Sequence, residues 1–261
     1  MPEGDTVFRV ARSLNEALAG TTLTRGSIRT GQFGHIDLQG ELVSEVDCYG
    51  KHLLIRFPDK VLRSHLRMEG AWHIYARNAR WRKPAHQARI VLANRDSVAV
   101  GFLVSDIALV PSNQEGDLIG HLGPDVLKPD WFEGGFERAK QNLERDPRPI
   151  HVALLDQRNV AGFGNEYANE LCYLRGVNPW TPANEVDIPA MLKLGHRLIH
   201  ANKNRVARTT TGNTRPGQRL HVYGKAGRPC PRCGTQVRFG RLGADPSSGR
   251  HVYWCPRCQG S

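Results

Sequence analysis

Arg228-Pro229-Cys230-Pro231-Arg232-Cys233 and Trp254-Cys255-Pro256-Arg257-Cys258 are the stretches from which the organisation of this chain can be read. Each carries a Cys-x-x-Cys knuckle, and twenty-one residues separate Cys233 from Cys255. A two-residue gap lets both thiolates of a knuckle face one metal ion, and two knuckles complete a tetrahedral set of four sulfurs. An iron–sulfur centre or a pair of disulfides would draw on the same residues. Knuckles followed by Gly234 and Gln259 suit a zinc ribbon better, with Cys230, Cys233, Cys255 and Cys258 holding one structural Zn2+. Four thiolates fill the coordination shell, so the ion is expected to staple the chain, with no position open for substrate.

The 261 residues allow one large or two ordinary domains, and an apolar fraction of 39% supports real cores. Thirty-six basic against 25 acidic residues give a formal charge of +11, a balance suited to a polyanionic partner such as DNA, RNA or an anionic membrane. No stretch approaches the ~20 apolar residues that span a bilayer, and no basic-then-apolar leader opens the sequence. Six cysteines, four of them in knuckles, fit a reducing compartment. Cys48 and Cys172 are read as buried thiols.

Near the N-terminus, Val7, Val10, Ala11, Leu14 and Leu18 follow helical spacing behind Asp5 or Thr6 as the expected cap. From Thr22 to Val110 short apolar runs alternate with turn residues. Candidate strands are 41–48, 52–57, 61–66, 71–75, 88–93 and 97–104, the pattern of a β-sandwich or barrel. Tyr49-Gly50-Lys51 marks a turn between two of them, and residues 77–86 read as an exposed basic loop. After a Pro- and Gly-bearing stretch the period becomes helical at 136–143, 150–155, 166–174 and 188–201, with Asp187 as cap of the last. The expected class is α+β and multidomain. It comprises an N-terminal β-sandwich with its helix (1–122), a linker (123–135), a helical domain (136–218) and the zinc ribbon (219–261).

Two stretches could carry chemistry. In Gln157-Arg158-Asn159-Val160-Ala161-Gly162-Phe163-Gly164-Asn165, glycines permit close backbone approach, and N–H groups at a helix N-terminus make an anion site. Alone this is a plain helix connection with Asn165 as cap; in a basic chain with a ribbon, phosphate binding is the better account. At the other end stands Met1-Pro2-Glu3. Removal of Met1 would leave Pro2 with a secondary amine able to attack a sugar C1′, with Glu3 beside it to move protons. On these residues alone an ordinary N-terminus explains them better.

Taken together, the motifs resemble the formamidopyrimidine-DNA glycosylase/endonuclease VIII family along essentially the whole chain. The resemblance rests on Met1-Pro2-Glu3-Gly4, on Gly50-Lys51-His52-Leu53-Leu54, on Leu155-Asp156-Gln157 with Ala161-Gly162-Phe163-Gly164-Asn165, and on the ribbon with Gly249-Arg250 inside it. It implies a helix–two-turn–helix in the helical domain, Pro2 as nucleophile and Glu3 as proton donor in base release. It implies that Lys51 assists elimination and touches a phosphate. Arg250 would grip the phosphates flanking the lesion and serve the second elimination, and Asn165 would hold the DNA backbone. Ser64-His65-Leu66-Arg67-Met68-Glu69-Gly70 matches the loop that fills the space left by an everted nucleotide, with Met68 as wedge and Arg67 reaching the opposite strand. His121 aligns with a DNA-contacting position in some relatives.

The implied activity is that of a bifunctional glycosylase and abasic-site lyase of base-excision repair, working by β,δ-elimination on double-stranded DNA with damaged bases or abasic sites. No catalytic metal or organic cofactor is implied. The protein is expected to be a bacterial cytoplasmic monomer, associated with the nucleoid through DNA and not with a membrane. The start Met-Pro-Glu-Gly-Asp-Thr, and Gly101-Phe102-Leu103-Val104-Ser105-Asp106 where the oxidised-purine branch carries Asp-Pro-Arg-Arg-Phe, resemble endonuclease VIII and its oxidised pyrimidines. The alternatives are an oxidised-purine glycosylase of the same family and a non-catalytic zinc-ribbon DNA-binding protein.

Overall fold

The structure is a computed structural model of the chain, and it describes residues 2–30, 33–34, 36–243 and 249–260. Met1, whose removal the sequence raises, lies outside the described residues. The chain divides into two compact units, one of Pro2 with Thr6–His121, the other of Glu3–Asp5 with the chain from Leu122 onward.

The first unit is built on α1 (Gly4–Leu18), β1 (Thr21–Thr22), β2 (Arg25–Ile28), β3 (Leu42–Val43), β4 (Glu45–Tyr49), β5 (His52–Arg56), β6 (Lys60–His65), β7 (Ala71–Ala76), β8 (Ala88–Ala93), β9 (Ser97–Phe102), β10 (Asp106–Pro111) and the short α2 (Glu115–Ile119). Among the described residues two four-stranded antiparallel sheets form, ordered β10-β6-β5-β4 and β2-β8-β9-β7. Val7, Ala11, Leu14 and Leu18 recur on one face of α1 and pack with Leu53, Ile55 and Leu62 of one sheet and Ile90, Leu92 and Ala99 of the other. This is the expected sandwich with its N-terminal helix. The helix begins at Gly4, so Asp5 and Thr6 stand inside its first turn and do not cap it.

β1, β2 and β10 add to the expected strands of the first unit. β2 is short and its Gly26 lies against Leu38, where a Cβ would fall 2.5 Å from the Leu38 Cβ. β10 is an edge strand of half-buried residues, so its alternation is muted. β8 and β9 are apolar almost throughout because both faces are covered. Ile90, Leu92 and Ala99 face the sandwich core, while Val91, Val100 and Phe102 form a second cluster with Tyr75 and the half-buried Trp81.

The second unit contains α3 (Gly135–Glu144), α4 (Ile150–Leu155), α5 (Asn165–Arg175), α6 (Ile188–Asn202), β11 (Arg238–Leu242), β12 (Arg250–Trp254) and α7 (Pro256–Gln259). α5 runs through its centre, with Tyr167, Ala168, Leu171 and Cys172 in a core shared with Leu143, Leu154, Phe163, Met191 and Ile199. Val126 and Trp131, from the stretch expected as a linker, belong to this core too. α6 starts at its expected cap, where Asp187 Oδ1 accepts from the Ala190 N–H at 3.1 Å. Its Gly195 lets Phe163 approach, since a Cβ there would meet the ring at 2.4 Å. α5 ends on Gly176 at φ +67°, the left-handed cap position that favours glycine. Cys48 and Cys172 are buried, as expected. No helix is long and apolar enough to cross a membrane among the described residues.

Candidate active site and nucleic-acid interface

α4 and α5 are joined by residues 156–164, which turn twice. Gln157 stitches the turns together: its Nε2 donates to Leu155 O and Phe163 O, and its Oε1 accepts from Gly162 N–H at 3.0 Å. The second turn brings Gly162 O to the Gly4 N–H at 2.9 Å and presents the N-terminus of α5 to Glu3. Glu3 is 0% exposed, and its carboxylate accepts from Gly164 N–H and Glu166 N–H, each at 2.8 Å. The sequence marks this helix start as an anion site. The structure seats the chain's own Glu3 on it, with N–H donors and the helix dipole stabilising the carboxylate. Gly164 is required here, because a Cβ would stand 2.4 Å from the Glu3 Cδ. Pro2, in the first unit, is half-buried and directly precedes this fixed carboxylate.

Arg208 completes the surroundings of Glu3. Its side chain, 8% exposed, lies 3.6 Å from Glu3 Oε1, pairs with Asp5 and contacts Glu166 Oε2 at 2.8 Å. Its guanidinium also sits 4.9 Å from the Tyr167 ring centroid, while Tyr167 Oη donates to Asp5 at 3.0 Å. Burial opposes the charge of Arg208, but Glu3, Asp5 and Glu166 outweigh it and hold the cation firmly protonated. Nothing in the sequence singled out Arg208, which lies in a polar stretch that reads as a loop.

That loop is organised by Glu170, another residue the sequence did not single out. Glu170 is fully buried on α5. Its carboxylate accepts from Thr210 Oγ1, from His221 N–H at 2.8 Å, and from Val222 N–H and Tyr223 N–H at 2.8 and 2.9 Å. Burial pushes its carboxyl up, yet the donors from His221, Thr210 and the backbone bring it below the ordinary glutamate value.

The same helix holds the C-terminal hairpin. Asn165 is buried and its Nδ2 donates to His251 O at 3.0 Å, while Asn169 Oδ1 accepts from Tyr253 N–H at 2.6 Å. His151 Nε2 accepts from Asn169 Nδ2 at 3.1 Å, and burial, despite a hydrogen bond with Asn165, brings His151 down to about 4. His151 is therefore a neutral prop beneath the hairpin. Arg250 is exposed at the first position of β12, paired with Leu242 at the end of the ladder. At the other end the thiols of Cys230, Cys233, Cys255 and Cys258 lie within 4.8 Å of one another. Two of the Sγ–Sγ distances are 3.9 and 3.4 Å, too long for a disulfide at about 2.05 Å. Four sulfurs about 2.3 Å from a central ion would be about 3.8 Å apart, so the cluster can hold a metal ion. Tyr173 Oη lies 3.4 Å from the Cys230 sulfur, which ties the cluster to α5.

The first unit carries the remaining expected contacts. Lys51 follows Gly50, whose φ of +56° makes the β4–β5 turn. Beside it the His52 and His65 rings lie 5.0 Å apart, and exposed His121 stands edge-on to His52 at 6.4 Å. Burial and nearby positive charge lower His52 to about 3 and His65 to about 4, so both are neutral at pH 7. Their Nδ1 atoms act as acceptors, from Arg63 at 3.3 Å and from the Arg67 N–H at 3.0 Å. Arg67 adopts φ +53°, a strained value for a non-glycine residue, and its guanidinium pairs with Asp106 at 2.6 Å. This places Met68 at the loop tip with 66% of its surface exposed, so it does not fill the core.

The chain matches the model of the formamidopyrimidine-DNA glycosylase N-terminal domain over residues 1–102 and that of the formamidopyrimidine-DNA glycosylase H2TH domain over residues 122–214. It is 48% identical to the probable endonuclease 8 2 of Streptomyces coelicolor, covering 99% of this chain and 94% of that protein. It is 43% identical to the DNA-(apurinic or apyrimidinic site) lyase Nei2 of Mycolicibacterium smegmatis, covering 99% of each. In fold it is similar to Lactococcus lactis Fpg solved in complex with DNA containing an abasic site, with a TM-score of 0.79 at 22% identity over 100% of both chains. With both domain models matched in order and this identity to relatives named endonuclease 8, the chain belongs to the formamidopyrimidine-DNA glycosylase/endonuclease VIII family, on its endonuclease VIII branch.

Proposed function

We propose that this protein is a DNA glycosylase and abasic-site lyase of base-excision repair that acts on oxidised pyrimidines. The observation that carries the proposal is Glu3, a fully buried carboxylate locked onto the N-terminus of α5 immediately after Pro2. Once Met1 is removed, the Pro2 nitrogen attacks C1′ of an everted nucleotide, the C1′–base bond breaks, and the base leaves with its electron pair. Glu3, hydrogen-bonded to the Gly164 and Glu166 N–H groups, first accepts a proton from the Pro2 ammonium and then returns it in base release. The nitrogen then loses its proton, which passes to O4′ as the C1′–O4′ bond opens, and the resulting iminium acidifies C2′; loss of a C2′ proton expels the 3′ phosphate, and a second elimination expels the 5′ phosphate. Water then hydrolyses the iminium and frees the proline.

Lys51, at the β4–β5 turn, and Arg250, at the start of β12, are assigned to the eliminations and to phosphate contacts. Asn165 is assigned to the DNA backbone and, through His251 O, to holding the hairpin of Arg250. Met68 is the wedge. Arg67 would have to leave Asp106 to reach the opposite strand, and His121 is assigned to the DNA surface beside Lys51. The four cysteines are assigned one structural Zn2+, which would brace the hairpin and take no part in bond breaking.

The test is borohydride trapping on abasic-site duplex with the wild type beside Pro2→Gly. A covalent adduct with the wild type and none with the variant is expected; an adduct that persists in the variant would move the nucleophile elsewhere. Faster release of 8-oxoguanine than of thymine glycol would overturn the pyrimidine assignment.

A further inference from the structure

We propose that the loop between β7 and β8, with Arg29, is a second DNA-contacting surface, separate from the lesion-binding loop of Met68. From Gly70 to Arg95 the chain carries Arg77, Arg80, Arg82, Lys83, Arg89 and Arg95 and not one Asp or Glu. Among the described residues no carboxylate lies within ion-pair distance of Arg29, Arg77, Arg80, Arg82 or Lys83. Elsewhere on the same unit Arg56, Lys60, Arg63 and Arg67 each pair with an acid. Like charges crowded without partners repel, and such a cluster is relieved by an anion from outside. The crowding is felt locally. Burial and neighbouring Arg25 lower Arg29, while burial, Lys83 and Arg82 lower His73.

The loop is built in place and does not merely trail in solvent. Trp81 stacks on Tyr75 at 6.5 Å and meets Phe102 edge-on at 5.8 Å, so it nails the loop to the outer face of the β2-β8-β9-β7 sheet. The Arg82 N–H donates to Tyr75 Oη, the Arg77 N–H to Asp96 O, and the Arg29 guanidinium lies 5.9 Å over the Trp81 ring. Around this anchor Arg80, Trp81, Arg82, Lys83, Pro84 and Ala85 line an open cleft of about 460 Å³. Three cations on a rigid frame beside an open cleft suit a run of phosphodiesters. β7 spans Ala71–Ala76 between Met68 at one end and the basic loop at the other, so the two sites lie roughly 20 Å apart at about 3.3 Å per residue.

The identity of the polyanion as DNA rests on the proposed function; the cation cluster does not. The experiment compares the wild type with Arg80→Ser/Arg82→Ser/Lys83→Ser on a 40-base-pair duplex bearing an abasic analogue, with affinity followed from 50 to 300 mM KCl. Each lost phosphate contact should lower the salt slope by about 0.9, which is roughly 8-fold in affinity at 0.1 M salt. Single-turnover cleavage at saturating protein and borohydride trapping should stay at the wild-type level. An unchanged slope overturns the proposal, as does loss of binding to phosphatidylserine vesicles with DNA binding intact. If the variant does not fold, acylation footprinting of the wild type decides: Lys83 should be protected by the duplex at low salt, and equal labelling with and without DNA overturns the proposal. A wild type that forms no trapped adduct at all would instead sink the glycosylase–lyase assignment and leave the slope comparison to stand by itself.

Discussion

Replacing Arg208 with methionine removes a cation that faces three carboxylates while keeping much of the side chain's apolar stem. Arg208 is 8% exposed and its partners Glu3, Asp5 and Glu166 are 0%, 4% and 14% exposed, so little water can take its place. Breaking a buried ion pair by removing one partner costs about 3–5 kcal/mol, because the remaining charge is left without compensation. Methionine preserves packing against Tyr167, so the lower part of that range applies, about 3 kcal/mol. That is more than a 100-fold change in the folded-to-unfolded ratio. Urea titration followed by far-UV circular dichroism and tryptophan fluorescence measures it. Asp5→Asn in the Arg208→Met background removes one of the stranded charges and should recover about 1–2 kcal/mol, a coupling expected between contacting residues. A loss below about 1 kcal/mol for Arg208→Met, or an Asp5→Asn effect that simply adds to it, would refute the picture of a charge-compensated cluster around Glu3.

Gly164→Ala should push Glu3 off the α5 N-terminus, given the 2.4 Å approach of a Cβ to its carboxyl carbon, and single-turnover base release should fall by roughly 100-fold. Affinity for an abasic analogue should change far less, and a variant cleaving at the wild-type rate would count against the placement. Glu170→Gln should cost about 2–3 kcal/mol at pH 7, since a neutral amide cannot accept from all the donors that Glu170 gathers. Because Glu170 is held below its ordinary value, its contribution is complete above about pH 4.3 and is lost as pH falls through its own lower value. Thermal melts of wild type and variant should therefore converge on acidification, and a constant gap would show that another group carries the effect. A chelator should release one equivalent of zinc from the cysteine cluster and weaken DNA binding while the β-sheet dichroism of the first unit persists. Metal analysis alongside binding checks this, and full affinity without metal would remove the hairpin from the DNA interface.

Much of this architecture was legible in one dimension. The knuckles announced a four-sulfur cluster because thiolates two residues apart can face one ion, and the four sulfurs do lie together. The helical spacing of Val7, Ala11, Leu14 and Leu18, the short apolar runs of β4 to β9 between turn residues and the Asp187 cap are local signals, and local signals survive folding. The signals failed where a residue's role is set by a distant partner. Asn165 read as a cap or a phosphate ligand; the structure also turns its amide to His251, eighty-six residues away. The helix start at Gly164 read as an anion site for DNA, and it receives Glu3 from 161 residues earlier.

The sequence by itself determined the covalent and periodic features: which stretches alternate, where turns must fall, and which sulfurs can share an ion. Only the tertiary structure decided how charge is distributed among these elements. It buried Arg208 among three acids and closed the loop of Thr210 and His221 over Glu170, and among the described residues it brought no acid to the cations Arg80, Arg82 and Lys83 of the β7–β8 loop. Charge pairing depends on separations of a few ångströms between residues far apart in the chain, and neither composition nor periodicity carries that distance.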